Sequence, residues 1–252
     1  PYISFFGVGA YLSGILNHYY HIPISLSIPM ATLGGGLLSA ILLVPVLRLR
    51  GIYFSMITLI FPMLFSSTIE MTRIFGGTVG LSSLSRFSNP WVAGYLAIAV
   101  TLICLFGFRK LVTTDYGTIL EAIGDNDQAV MVGGINIHWY KTQVIFVGAA
   151  VGSFAGAFMT HWIGFVGIPA FALDYSILPI ACLVIGGVGT YAGAFMGAFI
   201  LVPFSEALRG FGGLRTLFYS LALLVFIVAL PEGIFPYLRR KYHQFERWVE
   251  TE

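Results

Sequence analysis

The stretch WVAGYLAIAVTLICLFGF, residues 91–108, carries no charged side chain from end to end. As a helix it would be about 27 Å long, close to the ~30 Å apolar core of a bilayer. Comparable runs lie near residues 2–20, 25–47, 52–69, 142–162, 175–190, 192–209 and 214–231. The chain therefore reads as all-α, a polytopic transmembrane bundle of about eight helices forming a single domain over 1–252. Composition agrees: 58% of the 252 residues are hydrophobic and 10% charged, against about 25% charged in ordinary soluble domains. The sixth run is short and glycine-rich from Ile180 to Gly189, which fits a broken or re-entrant element whose backbone is satisfied by surrounding protein.

The basic residues set an orientation. Alternating the loops places Arg48, Arg50, Arg109, Lys110, Lys141, Arg239, Arg240, Lys241 and Arg247 on one side. Arg73, Arg86, Arg209 and Arg215 fall on the other. The richer side is expected to be cytoplasmic, with both ends of the chain there. Trp91, Trp162, Tyr19 and Tyr20 sit at span ends, where aromatic rings favour the interface. The chain opens at Pro1 without a methionine, and a further N-terminal part is expected before it.

Two runs carry glycine at every fourth position, Gly148, Gly152, Gly156 and Gly189, Gly193, Gly197. That spacing lets helices approach closely in lipid. The shared text Gly-Ala-Phe-Met at 156–159 and 193–196 leaves a parallel internal repeat open as a second reading.

Most connections are brief, and two are long. One runs from about Glu70 to Pro90 on the expected outer side and contains Gly76-Gly77-Thr78-Val79-Gly80-Leu81. It reads either as a flexible loop or as a surface for an external partner or the substrate path. The other, 113–138, is expected on the inner side. There Thr114 or Asp115 can cap a helix, and Thr118 to Glu121 has capping-box spacing. Apolar residues at 119, 120, 123, 130 and 132 fit short amphipathic helices broken near Gly124. Such a pair could rest on the membrane or dock into a partner.

This inner segment resembles the coupling segment of bacterial ABC importer permeases, above all the branched-chain amino acid permease family. Gly117, Ala122, Ile123, Asn126, Ala129, Gly134, Ile135 and Asn136 match its pattern, and Asp125 and Asp127 stand for its acidic pair. Thr118 and Gly124 replace common arginines. Residues 4–11, 48–59, 76–81 and 184–193 are similar to further runs of that family in the same order. The resemblance implies a translocation path for branched-chain or other small neutral amino acids across a bacterial inner membrane. It also implies a second, homologous permease, ATP-binding subunits that hold the ATP and magnesium, and an extracytoplasmic binding protein. It makes Gly117, Glu121, Ala122, Asp125, Asn126, Asp127 and Gly134 candidates for ATPase coupling, and leaves the substrate-contacting residues unknown.

The chain itself has no Walker A sequence and no HExxH, so no catalytic residue, metal or cofactor is assigned to it. A net charge of +2, scattered along the chain, gives no nucleic-acid surface. Cys104 and Cys182 read as buried free thiols, and His18 and His21 as interfacial side chains. Glu206 and Arg209 are spaced for a local ion pair, and Asp174 for a helix N-terminus. A passive channel or secondary carrier for a small neutral solute such as urea is the alternative function. A membrane-embedded enzyme would need polar groups that the runs lack.

Overall fold

In the computed structural model the structure describes residues 2–49, 52–172, 174–187, 189–211, 220–221, 224–225, 233–237 and 240–241. The expected run at 214–231 lies almost wholly outside these, as does the side chain of Arg209. Among the described residues the chain is helical without strands, as expected. Its long helices are α1 (Tyr2–Tyr20), α2 (Ile24–Leu43), α3 (Ile52–Thr72), α4 (Pro90–Val112) and α7 (Ile137–Ile163). The shorter α5 (Asp115–Asp125) and α6 (Asp127–Val132) lie between α4 and α7, and α8 (Asp174–Gly186) and α9 (Tyr191–Ala207) follow. Among the described residues five stretches are long and apolar enough to cross a membrane: Ile24–Leu47, Ile52–Thr72, Pro90–Val112, Ile137–Ile163 and Ile168–Gly186.

The chain forms two compact units, Pro1–Tyr175 and Ser176–Glu252. The centre of the first is a three-helix block of α1, α2 and α7. Helix α1 is not among the five apolar stretches, because Ser4, Ser13, Asn17 and His18 dilute it. It is nonetheless heavily buried, with Ile3 through Ala10 shielded without a break. Lipid cannot drive helices together by the hydrophobic effect, so contact must come from close packing and hydrogen bonds. Both are present. A Cβ at Gly156 would fall on the carbonyl oxygen of Phe6, and one at Gly9 on the backbone of Ser153. A Cβ at Gly35 of α2 would stand 2.6 Å from Ser153 Oγ. Ser153 Oγ donates to the Phe5 carbonyl at 3.1 Å, and Thr160 Oγ1 lies 3.2 Å from the Ala10 carbonyl.

Helix α4 is different. Ala93 is its one buried residue, and two apolar grooves of about 670 and 570 Å³ separate it from α2 and α7. It starts on a sequence-encoded cap, Asn89 Oδ1 accepting from Trp91 N–H at 3.0 Å with Pro90 in the first turn.

Helix α8, nearly all of it in the second unit, has 13 residues, about 20 Å of helix, and the stretch Ile168–Gly186 reaches spanning length only with the turn before it. It pairs with α9 through small residues: a Cβ at Gly197 would meet the Cys182 carbonyl, and one at Gly186 the Gly193 carbonyl. Ala181, Cys182, Ile185 and Leu201 form the core between them.

Candidate functional site

The 113–138 segment is built by tight turns and two asparagine caps. Gly117 is buried where α4 turns into α5, since a Cβ there would strike the Val112 carbonyl. The turn begins at Thr114, but its hydroxyl donates back to the Leu111 carbonyl at 2.7 Å rather than capping α5. Thr118 lies inside the helix, so the Thr118–Glu121 spacing marks no helix start. The break expected near Gly124 falls at Asn126. Its Oδ1 accepts from Gln128 N–H (3.0 Å) and Ala129 N–H (3.2 Å), which satisfies amide groups that a new helix leaves open. Asn136 does the same for α7, accepting from Trp139 N–H at 3.3 Å. Helix α7 thus starts five residues before the apolar run at 142, because a cap, not hydropathy, decides where it begins.

Gly134 has φ +80°, in the left-handed region, and lies between α6 and the Asn136 cap. Glu121, Ala122 and Asp125 are exposed on α5, while Ile123 is buried beneath them. Asp127 is half-buried and accepts from Lys141 Nζ at 2.6 Å. Helix α6 buries no residue, and Val132 at its end is 90% exposed. A cavity of about 530 Å³ lies beside the elbow that α5 and α6 form, lined by Leu47, Phe54, Leu120, Ile123, Asp127 and Lys141 among others. Tyr116 of α5 packs beside Tyr140 at 5.2 Å between centroids. Its phenol pKa is raised, by burial first and by Tyr140 second.

The opposite end of the block holds a polar cluster that sequence reasoning did not single out. His161 is fully buried. Its Nδ1 lies 2.8 Å from the Ser85 carbonyl, which can only accept, so Nδ1 carries the hydrogen. In the neutral ring Nε2 then accepts, and Ser13 Oγ stands 2.9 Å away to donate. Ser27 Oγ completes the group at 2.8 Å from Ser13 Oγ. Asn17 holds the same loop from α1: Ser85 N–H donates to its Oδ1 at 2.8 Å, and its Nδ2 donates to Ser85 Oγ at 3.2 Å. Leu81 pairs with Val166 in an antiparallel bridge of 2.8 and 3.1 Å. Arg86 packs over Gly164, where φ is +76°. The 70–90 connection is thereby laid down along 81–86 rather than loose.

Of the glycine stripes, Gly152 and Gly156 lie against α1, while Gly148 has open space beside it. Gly193 and Gly197 lie against α8, and Gly189 precedes α9 with φ +89°. The run Gly34-Gly35-Gly36 of α2 also lies against α1 and α7; sequence reasoning did not single it out, and three consecutive glycines are the signal that could have found it. Among the described residues no group of three His, Cys, Asp or Glu is placed to hold a metal. Cys104 and Cys182 are free.

The profile of the family described as branched-chain amino acid transport system / permease component matches residues 2–230. The chain belongs to that family. Among related permeases, the high-affinity branched-chain amino acid transport system permease protein LivM of Escherichia coli (strain K12) is 26% identical over 94% of this chain and 63% of its own length. The probable branched-chain amino acid transport permease protein LivM of Methanocaldococcus jannaschii is 24% identical over 70% of this chain and 54% of its own. The xylose transport system permease protein XylH of Escherichia coli (strain K12) is 32% identical, over 44% of this permease and 30% of its own length. The chain thus spans less than two thirds of the length of the permeases it matches. No solved structure matches it significantly.

Proposed function

We propose that this permease is the membrane-spanning subunit of an ATP-driven importer for branched-chain or other small neutral amino acids, in a bacterial inner membrane. The family and the branched-chain amino acid transport named for the longer-matching relatives support the solute class. The scarcity of charge in the spans fits a neutral or zwitterionic solute.

The observation that carries the reading is the α5–α6 elbow. It presents Glu121, Asp125, Met131 and Val132 outward at one end of the bundle. An exposed acidic and apolar elbow on a rigid block is suited to an ATP-binding subunit's groove. On this reading Gly117, Asn126 and Gly134 shape the elbow, and Glu121, Ala122, Asp125 and Asp127 face or brace the partner. ATP and magnesium belong to that partner, since this sequence has no Walker A loop. The elbow end is cytoplasmic, by the excess of basic residues on that side. A homologous permease completes the path, and a binding protein delivers the solute on the other face.

Co-purification tests the reading. A tagged complex is expected to retain ATP-binding subunits. Val132→Glu, at a site that supports no internal packing, is expected to lower their retention about tenfold with normal membrane insertion. Gly134→Leu, strained by the positive φ, is expected to reduce ATP-dependent uptake likewise. Uptake that needs no ATPase would instead support a passive channel or carrier.

A further inference from the structure

Both ends of α7 are gripped. At its start two consecutive side chains hold both pieces of the elbow, Tyr140 against Tyr116 of α5 and Lys141 to Asp127 of α6. About 30 Å further along the helix, His161 Nδ1 donates to the Ser85 carbonyl on the opposite face. Between these points one side of α7 is packed directly on α1. Gly152 and Gly156 lie on α1, and Ser153 and Thr160 bond to α1 carbonyls. Close-packed protein transmits displacement rather than absorbing it.

A buried histidine that merely satisfied itself could have bonded to a carbonyl of its own or a neighbouring helix. This one spends its Nδ1–H on a loop 76 residues away in sequence. Its Nε2 is fixed by Ser13 of α1, with Ser27 of α2 behind it. The ring is therefore oriented by the three-helix block and points the block at the loop. We propose that His161 is a positioning residue that ties the 81–88 loop to α7, so that the loop's seat follows the elbow through one stiff helix. The direction of this traffic rests on the importer reading. The tie itself does not.

The test uses the full chain reconstituted in nanodiscs, alone and with its ATP-binding subunits. A spin label is placed at Ser82→Cys, on the exposed part of the loop, in a Cys104→Ala, Cys182→Ala background. The label is expected to be immobile in the chain alone and to respond to ATP in the complex. His161→Leu is expected to mobilise the label and abolish the ATP response. Uptake should fall at least tenfold, with basal ATP hydrolysis within twofold of the parent. His161→Gln, which keeps an N–H donor and an acceptor, is expected to recover most of both signals. An immobile, ATP-responsive label in His161→Leu overturns the proposal. Equal losses in the Leu and Gln variants together with less folded protein also overturn it, leaving a structural role only. Should His161→Leu fail to insert, hydrogen exchange on the unaltered chain decides. Protection at 81–86 and at 137–145 must change together with ATP, and a change in one without the other overturns the tie. If no ATP-binding subunit associates, the importer reading fails, while label mobility in the chain alone still reports on His161.

Discussion

Helices α7 and α4 are both long and apolar, with 27 and 23 residues, yet 39% of the apolar window of α7 is buried against 6% of that of α4. Hydropathy cannot tell them apart, because it measures compatibility with lipid and not the presence of neighbours. What separates them is the placement of small and hydroxylated residues. In α7, Gly152, Ser153, Gly156 and Thr160 recur on the side that meets α1. In α4, Gly94 and Gly107 have nothing within 4 Å of where a Cβ would be. Helix α2, with a mean hydropathy of 2.0 against 2.1 for α4, is as buried as α7, so small residues at the contact positions and not overall greasiness mark the interior.

Substitutions that treat the two helices alike should break this symmetry. The largest effect is expected from Gly156→Ala, whose new Cβ collides with backbone and cannot be accommodated by a rotamer change. A loss of about 3 kcal/mol or more is expected, or failure to assemble, read as the midpoint of unfolding in mixed micelles. Next, Leu43→Ala, in the block at 2% exposure, should cost about 2 kcal/mol. Ile98→Ala on α4, at 59% exposure, should cost well under 1 kcal/mol in the same assay. Equal costs at these two sites would mean that α4 is packed in the assembled protein. Asn17→Leu removes three hydrogen bonds near the C-terminal end of α1. It should destabilise by about 1–3 kcal/mol and raise proteolysis near Ser85. Asp127→Asn should shift stability by no more than about 1 kcal/mol, since the pair with Lys141 is partly exposed. Gly94→Ala should be neutral or stabilising by up to ~1 kcal/mol from helix propensity alone.

Much of the architecture was legible because spans announce themselves by length. The runs at 52–69 and 91–108 need little more than a count of apolar positions and fall within α3 and α4, while the run at 2–20 coincides with α1 despite its polar residues. The start of α7 was misplaced, since Ile137 to Lys141 read as loop by composition and are made helical by Asn136. The 113–138 segment was visible through its pattern, but Asn126 reveals its capping role only once the helix boundary is seen. His161 was not legible. Its partners Ser13, Ser27 and Ser85 come from three different places in the chain, and each is an ordinary residue in its own window. Only tertiary structure converts them into a cluster.

The isolation of α4 has a mechanical corollary. Its apolar stretch, about 27 Å long at 1.5 Å per residue, meets the bilayer with little bracing from the block. A membrane thinner or thicker than that stretch will tilt α4 before it strains the three-helix centre. The tilt has a fixed point to act on, because α4 runs straight into the tight turn at Gly117, beside the Val112 carbonyl. A tilt of α4 in a thinner or thicker bilayer would therefore bear first on that turn.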